Sequence, residues 1–378
     1  MRKLIYLVSP VLALLVSCNN PGSNQNTNTT VIDSTSSSSA SGNHDFARTA
    51  GGLRVMSYNV LKYGDDCQAS SSVLHGYLKT IVKNADPDIL GLVKINAFKL
   101  NAGDQNASGP EGFGDSILSE AVNAAFPDRY AYCPPTNSAG GNNMNLLFYD
   151  KSKFGYSSEN ILCNYETDFD MYKLYYKNGV QQGDTTFLYV ILNHTKSGKE
   201  SEKRDEQMNT IETNLRKYFK KLPDIIDMGD FNLRATDEPG YQTLTANTDA
   251  GFRFCDPPFN PDNTLKYPAD WTQNPDAFAK YLTTSTRKKD DQPNTCGTGG
   301  GAKFWYDHIF ISPSIATGSG KFKYVQGSYH TFGNDGARDG ISVTSENHPN
   351  GAVPADVAEA LFQMSNKYPV MLELSVNK

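Results

Sequence analysis

The sequence predicts an α/β domain that covers residues 53–378. Short apolar runs of strand length recur along this region, and they alternate with stretches in which apolar residues have helical spacing. Neither an internal repeat nor a break in composition divides the region. Alternation of this kind is typical of sheets covered by helices, so we expect one large α/β domain.

The elements follow each other along the chain with clear boundaries. The run 187–192 is apolar without alternation, as expected for a strand that is covered on both faces. The helix predicted over 200–221 has one apolar stripe and a basic C-terminal end that complements the helix dipole. In order, we expect strands at 54–58, 88–93, 145–149, 187–192, 224–228, 304–311 and 369–376, and helices around 77–82, 117–125 and 200–221.

The N-terminus predicts export and a lipid anchor. Arg2 and Lys3 precede the apolar run Leu4–Val16, which is too short to span a bilayer comfortably. The sequence Leu15-Val16-Ser17-Cys18 resembles the lipobox of bacterial lipoproteins, which implies removal of residues 1–17 and lipidation of Cys18. An ordinary secretory signal is the alternative. We expect a membrane-anchored lipoprotein on the outer-membrane, periplasmic or cell-surface side.

Residues 18–52 predict a flexible tether between the lipidated Cys18 and the domain. The segment is rich in Asn, Ser, Thr and Gly and has almost no apolar residues to bury. Removal of residues 1–17 takes away two positive charges, so the formal net charge moves from -6 to -8. An acidic protein has no general attraction to nucleic acid, although a local basic cleft is compatible with this charge.

The remaining cysteines predict disulfides rather than a zinc site. An exported domain with these residues could form up to two disulfides and leave one cysteine over, and their spacing does not select the pairs. Their sequence neighbours match no zinc-binding pattern. The residues are Cys67, Cys133, Cys163, Cys255 and Cys296.

Several segments in a fixed order resemble the endonuclease/exonuclease/phosphatase superfamily. They are Val55–Val60, Asp86–Leu92, Asn193–Gly198, Gly229–Asn232, Tyr306–Ser312 and Ser365–Val370. The resemblance covers essentially all of the chain after the tether. It implies a four-layered α/β sandwich, in which two packed mixed β-sheets are flanked by helices and a cleft lies at one end of the sheets. In active members, this cleft binds a divalent metal, usually magnesium, and water attacks a phosphoester.

Five site residues match the superfamily pattern. Asn59 closes the first strand and orients its neighbours, and His194 contacts the phosphate. Asp230 and Asn232 align the attacking water, and Asp307 orients a catalytic imidazole. The resemblance implies these roles for a member of the superfamily that has all of its catalytic and metal-binding residues.

Three other positions depart from the pattern. Lys94 stands where the glutamate that binds the metal is expected, Asn366 replaces an aspartate, and Lys367 replaces the catalytic histidine. Together these changes add four units of positive charge, and magnesium requires carboxylate oxygens. We therefore expect the ordinary metal site to be lost. A second alignment, which places Ser345–Pro349 and its His348 at the last motif, is disfavoured because Asn350 and Gly351 follow instead of an apolar strand.

Three other features of the sequence are interpreted as structural rather than functional. Asp227 precedes the Gly229–Asn232 motif and is interpreted as a solvated residue at the edge of the sheet. The charged run Arg287–Asp291 is interpreted as a solvated loop rather than a substrate contact. The glycines between Gly297 and Gly301 are expected to provide flexibility, because no helix begins after them.

Two functions are compatible with these residues. The first is a catalytically degenerate, non-enzymatic binding or structural protein, in which Lys94 and Lys367 hold a phosphate-containing ligand. The alternative is a phosphoester hydrolase of nuclease or phosphatase type with an altered or metal-free site, which uses magnesium if the metal site persists. The sequence names no substrate, nucleic acid or protein partner.

Overall fold

The structure, a computed structural model, describes residues 47–97, 109–181, 184–258 and 275–377. The predicted signal peptide, Cys18 and the tether as far as residue 46 lie outside the described residues. Within the described part of the chain, no helix is both long enough and apolar enough to cross a membrane. The described residues form one compact unit.

The first sheet has seven strands in the order β10-β12-β1-β2-β4-β3, with β11 also paired to β12. Its neighbours β1 and β2 are parallel, and the other pairs are antiparallel. The sheet is therefore mixed. Its strands are β1 Leu53–Tyr63, β2 Ile89–Asn96, β3 Tyr130–Tyr132, β4 Asn143–Asp150, β10 Phe322–Tyr324, β11 His330–Thr331 and β12 Val370–Val376.

The second sheet has five strands in the order β5-β6-β7-β8-β9. Only β7 and β8 are parallel in this sheet, so it is mixed as well. Its strands are β5 Phe154–Tyr165, β6 Thr167–Gln181, β7 Asp184–His194, β8 Ile225–Asp230 and β9 Asp307–Ile311.

The two sheets pack face to face at Gly91 of β2. A methyl group at this glycine would lie 2.6 Å from Leu192 Cδ1 and 2.6 Å from Met228 Cε, two side chains of the second sheet. The absence of a side chain at Gly91 therefore lets the sheets approach closely. The residues between the sheets form one continuous apolar core with the helices outside them.

Helices flank the two sheets, as the resemblance implied. Helix α1 contacts α8, and α4 contacts α5 and β5. The helices are α1 Ser71–Ala85, α2 Gly109–Ile117, α3 Asn123–Ala125, α4 Ser201–Tyr218, α5 Pro239–Thr245, α6 Pro275–Phe278, α7 Pro313–Thr317 and α8 Ala355–Met364, and the π-helical turn Leu118–Val122 joins α2 to α3. The four-layered arrangement predicted from the resemblance is thus confirmed.

Most predicted elements are confirmed, with shifted ends. The strand predicted over 224–228 continues to Asp230, and the strand predicted from 304 begins at Asp307. The helix predicted over 117–125 begins earlier, at Gly109, and contains the π-helical turn. The helix predicted over 200–221 ends at Tyr218.

One disulfide joins Cys67 to Cys296, which are 229 residues apart in the sequence. It connects the segment after β1 to the long insertion between β8 and β9. The other described cysteines, Cys133, Cys163 and Cys255, are buried and form no disulfide with another described residue. One disulfide is therefore present among the described residues, where the cysteine count allowed up to two.

Arg287 is fully buried, so its interpretation as part of a solvated loop is wrong. Its Nε donates to Phe362 O at 2.9 Å, and its Nη2 donates to Gln363 O at 3.1 Å. These carbonyls belong to the last turn of α8, where a cation complements the helix dipole. Arg287 therefore fixes the end of α8 from which the segment Ser365–Lys367 continues.

The glycines in the segment 297–301 allow close packing, so the expectation of flexibility is also wrong. A methyl group at Gly299 would lie 2.1 Å from Lys288 O, and one at Gly301 would lie 2.1 Å from Gly340 N. Gly301 has φ +75°, which favours glycine. The insertion is therefore held tightly beside Arg287.

We expect Arg287→Ala to lower the free energy of unfolding by about 3 kcal/mol, because buried carbonyl groups lose charged hydrogen-bond donors. Urea denaturation of the full chain measures this change. The exposed neighbour Lys289 provides the control, since Lys289→Ala should change stability by less than about 0.5 kcal/mol. Equal effects of the two substitutions would contradict the structural role of Arg287.

Candidate functional site

The matched and substituted residues converge because of the sheet topology. The parallel strands β1 and β2 and the parallel strands β7 and β8 all run toward the same end of the sandwich. The antiparallel strands β9 and β12 begin at that end. Strand ends from both sheets therefore bring together Asn59, Lys94, His194, Asp230, Asp307, Asn366 and Lys367.

A cleft of about 330 Å³ lies at this end of the sandwich. Its lining includes six of the residues selected from the sequence. They are Lys94, His194, Asp230, Asn232, Asn366 and Lys367. The remaining two, Asn59 and Asp307, are almost completely buried behind the lining.

Asp230 is held in one orientation by hydrogen bonds. Asn59 Nδ2 donates to Asp230 Oδ2 at 2.7 Å, and the backbone N–H of Asn232 donates to Asp230 Oδ1 at 3.0 Å. Gly229 has φ +153°, and a methyl group there would lie 1.9 Å from Asn193 O. Only glycine therefore lets β8 end at this position and present Asp230 to the cleft.

Asn232 does not point freely toward the cleft. Its side-chain Nδ2 donates to Thr195 O at 3.0 Å, which ties the end of β8 to the segment after β7. Asn232 has φ +48°, a left-handed conformation that asparagine adopts more readily than most residues. In this structure the matched pair thus has one carboxylate facing the cleft and one amide that supports its wall.

Lys367 lies between two carboxyl groups. Its Nζ is 3.0 Å from Asp230 Oδ2 and 3.7 Å from Asp307 Oδ2, and it lies 4.3 Å from the centre of the Tyr306 ring. The side chain is 7% exposed. Both acidic side chains of the matched pattern therefore face an ammonium group at close range.

The pKa values of Asp230, Lys367 and Asp307 follow from this arrangement. Burial is the largest single influence on Asp230 and disfavours its anion, but Lys367, His194 and the hydrogen bond from Asn59 together lower the pKa of Asp230 to about 2. Burial also opposes the Lys367 cation, and the carboxylates of Asp230 and Asp307 reverse this effect, so the pKa of Lys367 is raised. Burial, followed by the negative charge of Asp230, raises the pKa of Asp307 to about 8.

Lys94 is the second lysine of the cleft, and its environment differs from that of Lys367. It has φ +67° and lies where the pairing of β1 with β2 is interrupted. No described carboxylate lies within ion-pair distance of its ammonium group. Burial lowers the pKa of Lys94, although Asp230 partly opposes this shift.

His194 ends β7 and lines the cleft beside Lys94. Burial is the largest influence on its ring and lowers the pKa of His194 to about 4, and the nearby lysines act in the same direction. The imidazole is therefore neutral near neutral pH. A neutral ring can donate or accept one proton in a hydrogen bond to a ligand.

Asn366 contributes to the wall of the cleft. Its Nδ2 donates to Thr298 O at 3.1 Å, and Thr298 lies two residues beyond the disulfide-bonded Cys296. Its Oδ1 is buried and accepts no hydrogen bond from the described residues. The amide thus attaches the segment after α8 to the insertion that forms the opposite side of the cleft.

The divalent metal implied by the resemblance does not fit these side chains. Lys367 Nζ occupies the space in which both carboxyl groups could reach a cation, and Lys94 adds a second ammonium group to the cleft. Among the described residues, the three side chains with ligand atoms close enough for a metal are Asp65, Cys67 and Cys296. Two of these are joined in the disulfide, so this group is not an available metal site either.

Arg234 is a cleft residue that the sequence reasoning missed. It lines the cleft, its Nε is buried, and this atom has no hydrogen-bond partner among the described residues. Its backbone N–H donates to Glu238 Oε1 at 3.0 Å, and Glu238 also binds the buried Arg204. Its closeness in sequence to the Gly229–Asn232 motif, two residues after Asn232, was the available signal.

Asp227 is completely buried, so its interpretation as a solvated edge residue is wrong. Asn193 Nδ2 donates to Asp227 Oδ1 at 2.6 Å, while burial raises the pKa of Asp227 well above its usual range. The residue lies in β8, between two neighbouring strands of the second sheet. It supports the packing of that sheet and does not line the cleft.

The structure selects the later of the two alignments for the last motif. Ser365–Lys367 lies at the cleft and is followed by β12, which pairs with β1. Residues 345–349 form turns in a different region, where Glu346, Asn347 and His348 are exposed. His348 is therefore not the imidazole of this site.

Several solved structures align with most of this chain. TDP2 from C. elegans aligns with a TM-score of 0.50 and 16% identity, covering 86% of this chain and 76% of that chain. The human Nocturnin catalytic domain aligns with a TM-score of 0.48 and 14% identity, covering 86% of this chain and 95% of the other. An endonuclease/exonuclease/phosphatase family protein from Bacteroides thetaiotaomicron aligns with a TM-score of 0.46 and 16% identity. This alignment covers 85% of this chain and 97% of the other.

At these identities, the likeness concerns the fold. A scan against protein-family models finds no match, and no curated protein matches the chain. The fold is nevertheless defined by the two mixed sheets, the helices that flank them and the TDP2 alignment. The described domain therefore has the endonuclease/exonuclease/phosphatase fold.

Proposed function

We propose that this protein is an exported lipoprotein whose domain has lost metal-dependent hydrolysis and instead binds a phosphate-containing ligand. The observation that carries this proposal is the position of Lys367 between Asp230 and Asp307. Two unit charges about 4 Å apart interact by roughly 4 kcal/mol near a protein surface, so a dication beside an ammonium group would cost about twice as much. The cation that the two carboxyl groups bind is part of the chain itself.

The anchor and the location belong to the same proposal. The lipobox-like sequence Leu15–Cys18 supports lipidation at Cys18 and attachment to a membrane on the outer-membrane, periplasmic or cell-surface side. The disulfide between Cys67 and Cys296 agrees with an oxidising compartment. Loss of membrane association on Cys18→Ala, measured by fractionation, would support the anchor, and unchanged association would contradict it.

A second function is favoured by the preserved geometry around Asp230. This carboxylate is ionised, hydrogen bonded by Asn59 and close to His194 in one cleft. Such a group could orient water for phosphoester hydrolysis without a metal. The same experiment series must therefore include DNA, RNA, sphingomyelin and small phosphoesters, with and without magnesium.

We expect no turnover of these substrates above the level of the Asp230→Ala variant. Product release measured over long incubations with the full chain tests this expectation. Turnover that disappears in Asp230→Ala would establish the hydrolase instead. The exposed Asp237 provides a control, because Asp237→Ala should leave any such turnover unchanged.

We expect the wild-type chain to show no stoichiometric magnesium binding in calorimetry. The triple variant Lys94→Glu, Asn366→Asp, Lys367→His should bind magnesium at least about 100-fold more tightly, because it removes both ammonium groups and adds carboxylate ligands. The double variant Lys288→Glu, Lys289→Glu changes the net charge by the same amount outside the cleft and should not bind the ion. Tight one-to-one binding by the wild-type chain would refute the loss of the metal site.

The free energy of unfolding should respond to pH through Asp307. Its folded pKa of about 8 lies above the ordinary value near 3.9, so the folded chain keeps a proton that the unfolded chain has released. The stability of the wild-type chain relative to Asp307→Asn should therefore fall as the pH rises from about 4 to 8, by at most about 1.4 kcal/mol per pH unit, and then level off.

Urea denaturation of both chains across this pH range measures the difference. The exposed Asp237 again serves as the control, since the stability difference between wild type and Asp237→Asn should not show this fall across the upper half of the range. A flat difference between wild type and Asp307→Asn would mean that Asp307 is ionised throughout. Lys367 would then neutralise two carboxylates rather than one.

A further inference from the structure

The cations of the cleft fall into two kinds. Lys367 is paired with Asp230, whereas Lys94 and Arg234 line the same cavity without an ion pair to any described carboxylate. The Nε atom of Arg234 is also buried without a hydrogen-bond partner among the described residues. A buried donor that remains unpaired costs about 1–3 kcal/mol, so an acceptor supplied by a ligand in the cleft would stabilise the Arg234 Nε.

We propose that Lys94 and Arg234 form a two-cation site for the dianionic phosphate group of a compact phosphomonoester. This inference rests on the proposed binding function and assigns the ligand class and the residues that recognise it. The two residues come from different sheets, because Lys94 belongs to β2 and Arg234 follows β8. The site therefore exists only where the ends of the two sheets meet.

The charge of the cleft selects a dianion. Asp230 balances Lys367, and Asp307 remains largely protonated near neutral pH because burial raises its pKa to about 8. Among the described residues that line the cleft, Lys94 and Arg234 are then the cations that no carboxylate within ion-pair distance balances. A phosphate monoester carries close to two negative charges near neutral pH, whereas a phosphodiester carries one.

The backbone position of Arg234 is held by a hydrogen bond before any ligand arrives. Glu238 accepts hydrogen bonds from the Arg234 backbone N–H at 3.0 Å and from Arg204 Nη2 at 2.8 Å. Arg204 is itself 1% exposed and also donates to Lys196 O and Gly198 O. The ion pair of Arg204 with Glu238 thus holds the backbone of Arg234 in place. It also holds the segment after His194, on the neighbouring side of the cleft.

The size and lining of the cleft favour a small ligand. A cavity of about 330 Å³ lies at the lower end of the range for small-molecule sites, roughly 300–1,000 Å³. Besides the cations, hydroxyl groups of Ser197 and Thr298 and the Tyr306 ring line it. Hydroxyl groups and one aromatic wall suit a phosphate group attached to a compact polar or cyclic body.

A comparison of phenyl phosphate with phenyl sulfate separates the effect of ligand charge from the effect of ligand shape. The two probes have nearly the same form, but the phosphate ester is a dianion at slightly alkaline pH and the sulfate ester is a monoanion. Calorimetry with the full chain in a non-ionic detergent should give phenyl phosphate at least about 10-fold tighter binding than phenyl sulfate. Diphenyl phosphate, a monoanionic diester, should bind as weakly as the sulfate.

Substitutions then test the two named residues. Lys94→Gln and Arg234→Gln should each weaken phenyl phosphate binding by about 10- to 100-fold and should reduce the preference over phenyl sulfate. Arg234→Lys retains the charge and should lose much less affinity. Lys289→Gln removes an exposed lysine outside the cleft and should leave binding unchanged. Thermal unfolding of each variant shows whether the fold is retained.

Two results would overturn the inference. Equal affinity for phenyl phosphate and phenyl sulfate would exclude a dianion site, and unchanged phosphate binding in both charge-removing variants would exclude Lys94 and Arg234 as its ligands. Either result leaves the proposed binding function standing if magnesium still fails to bind and no substrate is hydrolysed. Stoichiometric magnesium binding together with hydrolysis of phenyl phosphate would instead refute the proposed function itself.

Discussion

The contact of Lys367 with Asp230 and Asp307 is the interaction on which the chemistry of the cleft depends. Two carboxylates on neighbouring strands would repel each other in a buried site, and here a proton on Asp307 and the ammonium group of Lys367 together remove that repulsion. The chain supplies that cation from the segment before β12, which belongs to the other sheet. The same contact therefore joins the two sheets at one end and places an ammonium group in the space between the two carboxyl groups.

The positions of the site residues along the chain explain how much of this could be predicted. Asn59, His194 and Asp230 lie at or near the ends of strands whose apolar patterns are legible, so their convergence follows from parallel pairing. Arg287 was misjudged because a charged run indicates solvent unless its partners are known. Its partners are carbonyl groups of α8, about seventy-five residues away in the sequence. No local pattern encodes such a contact.

The wall of the cleft opposite the carboxyl groups could not be predicted from the sequence either. It depends on the pairing of Cys67 with Cys296, and the spacing of the cysteines did not select that pair. Once the bridge is formed, Thr298 accepts from Asn366, and Asn294 lies between Arg287 and Gln68. The segment 294–301 thus becomes a fixed part of the cleft, although its glycines suggested flexibility.

The two lysines of the cleft show why residue type does not determine function by itself. Both add positive charge at positions where the resemblance implied other groups, and nothing in the sequence distinguishes them. Their surroundings differ in one respect: Lys367 lies within 3.0 Å of a carboxylate, and Lys94 has no described carboxylate within ion-pair distance. A paired ammonium group has little remaining attraction for an anion, whereas an unpaired one in a partly dehydrated cleft retains it. In the proposed function, the lysine that occupies the space between the two carboxyl groups and the lysine that receives a ligand are therefore different residues.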